Sequence, residues 1–144
     1  MLKVRDIMSS NLVSVLPNTP VIEVAYQMKV YDTPIVAVCD NQEFFGMVHE
    51  RDIITSLVAA AADSVTQPAS MIMKDSCPIV PPHADIWQAA RVMIDKITQF
   101  LPVVEKHRLV GVLTLDDLTE KRPELGAMVF GEVVRLRRLK RIRT

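Results

Sequence analysis

The most constraining feature of this chain is an internal repeat. The segment that begins with Asp6, Ile7 and Met8 is replayed from Ile72 and Met73, and matching residues then recur 65 positions apart. Identical pairs at this offset include Met8/Met73, Val15/Val80, Pro17/Pro82, Ala25/Ala90, Met28/Met93, Gly46/Gly111 and Asp52/Asp117. Each copy is too short to close a hydrophobic core alone, so we expect one pseudo-symmetric domain with a cleft between its halves.

Composition narrows the class of protein. With 144 residues, 49% of them hydrophobic, one domain can form a core without metal or disulfide staples. Cys39 and Cys77 have no metal-ligand spacing, and no P-loop or GxGxxG motif occurs, so we expect no metal site and no enzyme. The longest apolar run, residues 57–62, is too short for a transmembrane segment. We therefore expect a soluble, cytoplasmic protein.

Both copies predict the same order of elements, β-α-β-β-α, which indicates a mixed α/β (α+β) fold. The predicted strands are 12–15, 34–39 and 44–48 in the first copy and 78–80, 101–104 and 109–113 in the second. Apolar residues at helical spacing predict helices at 21–28 and 86–97, and a final helix begins near Glu50 and near Leu115. The predicted boundaries are repeat one at 1–60, a linker at 61–69, repeat two at 70–122 and a C-terminal basic helix at 123–144.

The order of these motifs resembles a known family. Asp-Ile-Met, a later proline, a helix that ends in Met, Leu101-Pro102-Val103-Val104 and the stretch from Gly111 to Leu118 are similar to a cystathionine-β-synthase (CBS) motif. The tandem copies resemble a stand-alone CBS pair, or Bateman module, over roughly residues 3–120. The resemblance implies two units around a pseudo-two-fold axis, clefts that bind adenine nucleotides, a regulatory role and a homodimer.

The second repeat carries the family's ribose-phosphate signature, which reads Gly111-Val-Leu-Thr114-Leu-Asp116-Asp117. Free N–H groups at a helix start attract phosphate oxygens, and the Thr114 hydroxyl can bond a phosphate or cap the helix. Asp117, beside Asp116, can accept both ribose hydroxyls. The structural alternative is that Thr114 or Asp116 caps the helix and that Asp117 suits its dipole.

The first repeat departs from this signature, because His49 stands where the second repeat has Thr114. Asp52 can still hold a ribose, and Arg51 can reach a phosphate as a charge. His49 is bulkier and either blocks the site or brings a pH-sensitive charge to it; the alternative is a partly exposed histidine at a strand end. We expect the first site to bind more weakly than the second.

The adenine base requires an apolar slot with backbone polar groups nearby. The resemblance places this slot at Cys77, Pro78 and Ile79 in one repeat and at residues 12–14 in the other, with Leu101 and Pro102 as one wall. The alternative for all of these residues is ordinary core. The expected ligand is AMP, ADP or ATP, with S-adenosylmethionine as a further candidate.

The net charge of the chain is zero, but its C-terminal segment is strongly basic. Residues 135–144 contain six basic residues and no acidic ones, so residues 1–134 carry −6. Apolar residues recur three or four apart from Leu125 to Ile142, which predicts an amphipathic basic helix. We expect it to dock on its own dimer. Nucleic acid, an acidic partner and an anionic membrane surface remain alternatives.

Two functions from different classes follow. The first is a regulatory module that binds an adenine nucleotide in the cleft between the repeats. The second is a ligand-free scaffold that binds a partner protein or nucleic acid through the paired repeats and the basic tail. Nucleotide affinity separates the two.

Overall fold

The computed structural model describes residues 1–143 and confirms the mixed α/β class. Its regular elements, in chain order, are α1 (Val4–Ile7), β1 (Ser14–Val15), α2 (Val21–Tyr31), β2 (Ile35–Asp40), β3 (Glu43–His49), α3 (Glu50–Ile53), a π-helical turn (Ile54–Val58), a 3₁₀ turn (Ala69–Met71), α4 (Ile86–Lys96), β4 (Phe100–Glu105), β5 (Arg108–Thr114), α5 (Leu115–Lys121) and α6 (Pro123–Arg143).

The chain forms two compact units, and each combines residues that are distant in sequence. The first unit contains Leu12–Cys77 together with His107–Leu109. The second unit contains Met1–Asn11, Pro78–Lys106 and the chain from Val110 onward. The residues that lead into each repeat, 3–9 and 69–74, are called here the leading segments. Each leading segment packs in the unit built on the other repeat: residues 69–74 continue the main segment of the first unit, whereas residues 3–9 join the second unit from a distant part of the chain.

In the second unit, the leading segment pairs with β5 opposite a glycine. The Ser9 N–H donates to the Val112 carbonyl at 2.9 Å, and the Val112 N–H donates to the Ser9 carbonyl at 2.8 Å. A Cβ on Gly111 would lie 2.7 Å from the Ser9 carbonyl oxygen and 2.8 Å from Met8 Sδ. The duplicated glycine therefore provides the space for this pairing.

The first unit has the equivalent bridge between β3 and the other leading segment. The Lys74 N–H donates to the Met47 carbonyl at 2.8 Å, and the Met47 N–H donates back at 3.1 Å. A Cβ on Gly46 would lie 2.6 Å from the Lys74 carbonyl oxygen. The recurrence of Met and Gly at the same offset thus has one cause, the close approach of two backbones.

The two predicted hairpins are present. β2 pairs antiparallel with β3, and β5 neighbours β4. Two-residue turns join the strands of each hairpin, and both central residues have positive φ: 50° and 70° at Asn41 and Gln42, and 52° and 69° at Lys106 and His107. This conformation matches the twist of the flanking strands.

The first strand of each repeat is shorter than the sequence predicts. The prediction of 12–15 reduces to the two residues of β1, which pairs in parallel with β2. The prediction of 78–80 reduces to a single parallel bridge between Val80 and Val103. Pro78, Pro81 and Pro82 have no N–H to donate, so the ladder cannot extend on either side of Val80.

The C-terminal helix is confirmed as a separate element, but only its first half is buried. Leu125, Val129 and Val133 are at most 4% exposed and join the core of the second unit. Leu139 and Ile142 are 46% and 74% exposed in the single chain, so the expectation that the whole helix docks on its own dimer stays a prediction for this half. In the first unit, a separate core forms around α2, β2 and β3.

Gly111→Ala tests the importance of the backbone approach. The added methyl group must displace the Ser9 backbone, so we expect a loss of about 1–3 kcal/mol in the free energy of unfolding, measured by urea denaturation. The matched control is Gly131→Ala on α6, where a Cβ meets nothing within 4 Å. That variant should gain up to about 1 kcal/mol from helix propensity. Equal effects of the two substitutions would contradict the proposed role of Gly111.

Candidate functional site

In the first unit, the predicted site residues come together at one edge of the sheet. Ile35 at the start of β2 pairs with His49 at the end of β3. β1 runs parallel to β2, and the Ala37 N–H donates to the Val13 carbonyl at 2.9 Å. The segment 12–14 therefore runs past the start of β2, on the same edge as the end of β3. The adenine slot at 12–14 stays a prediction.

The second unit repeats this arrangement. Val80 pairs in parallel with Val103 of β4, and the Leu115 N–H donates to the Gln99 carbonyl at 2.9 Å, which places the end of β5 beside the start of β4. Pro78 and Ile79 precede Val80 and so lie toward the same edge as Thr114. Ile79 is 48% exposed, whereas Pro78 is partly buried.

Thr114 and Asp117 form a reciprocal cap at the start of α5. The Thr114 N–H donates to Asp117 Oδ2 at 2.9 Å, and the Asp117 N–H donates to Thr114 Oγ1 at 3.0 Å. The capping role that the sequence left open for Thr114 is therefore observed. Asp117 is half-buried and Asp116 is exposed. Among the described residues, Asp117 Oδ1 accepts no hydrogen bond and forms no ion pair.

Asp52 in the first unit has the same cap but different surroundings. The His49 N–H donates to Asp52 Oδ2 at 2.8 Å, and Asp52 is only 5% exposed. Lys74 Nζ lies 3.6 Å from Asp52 Oδ1. Arg51, which the sequence predicts to contact a phosphate, precedes Asp52 on α3 and is exposed. Sequence reasoning missed Lys74, although the repeat offset aligns it with Ser9.

Burial shifts the pKa values of three side chains, His49, Cys77 and Cys39. Burial lowers the pKa of His49, and the positive charge of Lys74 lowers it further, while Asp52 and Glu50 act to raise it. Burial raises the pKa of Cys77, which is the last residue of the first unit's main segment. Burial also raises the pKa of Cys39 to about 11, so this thiol stays protonated near neutral pH. A protonated buried thiol is a poor nucleophile.

A surface pocket of about 410 Å³ lies in the first unit. It is lined by Met28, Lys29, Asp32, Thr33, Pro34 and Glu50. None of the site residues predicted from the sequence lines it. Glu50 connects it to the sheet edge, because the Glu50 N–H donates to the Pro34 carbonyl at 2.8 Å.

Within residues 1–143, no three His, Cys, Asp or Glu side chains are grouped so that they could hold a metal ion. Over the same residues, no helix has the length and apolar character needed to cross a membrane.

Comparison with known proteins gives a consistent result. The family model described as CBS domain matches residues 4–59 and 69–124. Hypoxic response protein 1 of Mycobacterium tuberculosis is 30% identical over 131 residues, which cover 90% of this chain and 92% of that protein. Its crystal structure, which contains two coordinated zinc ions, aligns with a TM-score of 0.78 at 30% identity over 84% of this chain and 99% of that one.

Two further proteins are similar to this chain. The CBS domain-containing protein YhcV of Bacillus subtilis is 30% identical over 118 residues, which cover 82% of this chain and 84% of that protein. The hexameric CBS-CP12 protein from bloom-forming cyanobacteria aligns with a TM-score of 0.72 at 25% identity. The alignment covers 84% of this chain and 72% of that one.

The surroundings of His49 predict a pH dependence of stability. Because the pKa of folded His49 lies below the unfolded value of about 6.5, the unfolded state binds the proton more tightly. The stabilisation by neutral His49 is complete above that value and is lost as the pH falls through the folded pKa. We expect the urea midpoint to fall less between about pH 7.5 and 5.5 in His49→Gln than in the wild type. His83→Gln, at an exposed position, is the control. An equal fall in His49→Gln and the wild type would refute this role.

Proposed function

Because the chain belongs to the CBS-domain family, we propose that it is a regulatory module that binds an adenine nucleotide at the second repeat and catalyses no reaction. The proposed site comprises Pro78, Ile79, Thr114 and Asp117, with Asp116 beside them. Of the two expected sites, this one retains the residue types of the family signature. AMP, ADP, ATP and S-adenosylmethionine are the candidate ligands.

The observation that carries the proposal is the state of Asp117. Its Oδ2 is held by the Thr114 N–H, which fixes the direction of the carboxylate. Its Oδ1 accepts no hydrogen bond from the described residues, and the residue is half-buried at the sheet edge. A carboxylate that is oriented by its own cap and has one open oxygen can accept hydrogen bonds from ribose hydroxyls. Such charge-assisted bonds are stronger than neutral ones.

Thr114 is also compatible with a ligand. Its Oγ1 already accepts the Asp117 N–H, but the hydroxyl proton remains available as a donor. That proton can be donated to a phosphate oxygen. The cap uses Thr114 Oγ1 as an acceptor and the proposed contact uses its hydroxyl as a donor, so the two do not compete.

Ile79 supplies the apolar surface that a planar base requires. It is 48% exposed, although the next residue, Val80, is only 3% exposed. Stacking of adenine against Ile79 would remove apolar surface of both partners from water. Because Ile79 and Thr114 belong to segments that meet at one sheet edge, base and ribose would be bound by neighbouring segments.

Asp117→Asn tests the site. The substitution keeps an oxygen for the Thr114 cap but removes the charge, so we expect about a tenfold or greater loss of affinity for the best nucleotide. Isothermal titration calorimetry with each of the four candidate ligands measures the effect.

Asp6→Asn is the matched control for the cap. Asp6 Oδ2 accepts the Lys3 N–H at 2.8 Å, with the same spacing of three residues as in the Thr114 cap. The control should bind as the wild type does. Unchanged affinity in Asp117→Asn would remove the site assignment, and absence of binding by the wild type at millimolar nucleotide would remove the nucleotide proposal.

We also propose that the chain self-associates as a homodimer. Ile22, Tyr26 and Val30 are spaced four residues apart on α2 and are 51%, 61% and 54% exposed. Apolar residues at this spacing share one helix face, and a buried interface would remove that face from water. The hexameric CBS-CP12 relative gives a precedent for assembly in a protein of this fold.

The exposed half of α6 favours a second role in binding. Arg137, Arg138, Lys140 and Arg141 are exposed there beside Leu139 and Ile142. The remaining chain carries −6, so a second copy offers complementary charge. We propose that this half contributes to the dimer, and a scaffold that binds nucleic acid is the alternative.

Two truncations separate these roles. Deletion of 124–144 removes Leu125, Val129 and Val133 from the core, each worth roughly 1.5–3 kcal/mol, and should severely destabilise the fold. Deletion of 135–144 should leave the melting temperature nearly unchanged and weaken the dimer in a salt-sensitive way, measured by light scattering. If the shorter deletion leaves the dimer intact but abolishes binding to DNA or RNA, the tail is a nucleic-acid arm.

A further inference from the structure

Asp52 is a buried carboxylate that already has a complete set of partners. Its side chain is 7% exposed, with Oδ2 bonded to the His49 N–H at 2.8 Å and Oδ1 3.6 Å from Lys74 Nζ. The Lys74 side chain is 61% exposed, so its ammonium reaches Asp52 from the solvent side. A buried carboxylate remains charged only where such partners compensate for lost hydration.

The position of Lys74 is determined by the backbone. Two hydrogen bonds to Met47, at 2.8 and 3.1 Å, hold it against β3, and the missing side chain of Gly46 permits the approach. The residue at position 74 therefore projects from a fixed point close to the start of α3. The type of residue at position 74, rather than the position of its backbone, therefore decides which side chain Asp52 contacts.

The second unit has the same backbone arrangement with a different residue. Ser9 makes the corresponding two hydrogen bonds, with Val112, and lies opposite Gly111. A serine side chain carries no charge and therefore forms no ion pair. Asp117 is accordingly half-buried, without an ion pair among the described residues, where Asp52 is fully buried and paired.

We propose that Lys74 is an internal counter-ion that occupies the Asp52 carboxylate and so excludes nucleotide from the first repeat. This inference rests on the proposed function and states which residue restricts the chain to one site. A ribose that approached Asp52 would have to displace the lysine and leave the ammonium without its partner. The imidazole of His49, at the position of Thr114, removes the hydroxyl donor as well. Lys74 therefore determines site selection more directly than the bulk of His49.

A reciprocal exchange tests this proposal. Lys74→Ser should create a second calorimetric site for AMP, or strengthen the weaker one about tenfold, because Asp52 then resembles Asp117. Ser9→Lys should weaken the Asp117 site by a similar factor. Lys74→Arg keeps the charge and should behave as the wild type does. Since Lys74→Ser leaves Asp52 unpaired and less stable, Lys74→Gln, which removes the charge but keeps most of the side-chain length, is measured in parallel and should show the same gain.

A second measurement needs no nucleotide. The charge of Lys74 lowers the pKa of His49, and Asp52 raises it. Lys74→Ser should therefore raise the pKa of His49 in an NMR titration, whereas Lys29→Ser on α2 should not. If the wild type binds no nucleotide, the proposed function fails while this measurement still reports the ion pair. Weaker AMP binding in Lys74→Ser would show that Lys74 is a ligand contact and overturn the proposal, as would an unchanged His49 pKa together with an unchanged number of sites.

Discussion

The structure depends on one repeated contact, the two-hydrogen-bond bridge between a leading segment and the strand that carries a glycine. In each unit this bridge connects residues far apart in the chain, Ser9 with Val112 and Met47 with Lys74. Any side chain at Gly111 or Gly46 would occupy the space of the partner backbone. Each bridge joins one repeat to the leading segment of the other, so each unit contains residues from both repeats.

The bridge also fixes the backbone positions of Ser9 and Lys74. Ser9 and Lys74 occupy equivalent backbone positions in the two units, and Lys74 reaches Asp52. A single difference in residue type accompanies two electrostatic states: a carboxylate with an open oxygen and a buried carboxylate in an ion pair. Duplication of the fold thus permits the two copies to differ, because the side chain at the bridge position can change without altering the backbone.

Several features were accessible from the sequence, since they depend on local patterns. The helices, the two hairpins and the separate helix α6 follow from periodicity, turn residues and Pro123. Thr114 and Asp117 were singled out together because three-residue spacing at a helix start is a local geometry. In α6 the apolar spacing continues to Ile142, whereas burial within the single chain ends near Val133. Periodicity describes a helix face and carries no information about how far its packing partner extends.

The repeat, the mixed α/β class and the acidic positions Asp52 and Asp117 follow from residue order and spacing alone. The exchange of leading segments between repeats and the contact of Lys74 with Asp52 follow only from the three-dimensional fold. That ion pair joins residues 22 positions apart in sequence, and no periodicity within a helix or strand connects them. Which charge lies beside a buried carboxylate depends on distance in space and not on separation along the chain. In this unit the backbone bridge between Met47 and Lys74 sets that distance.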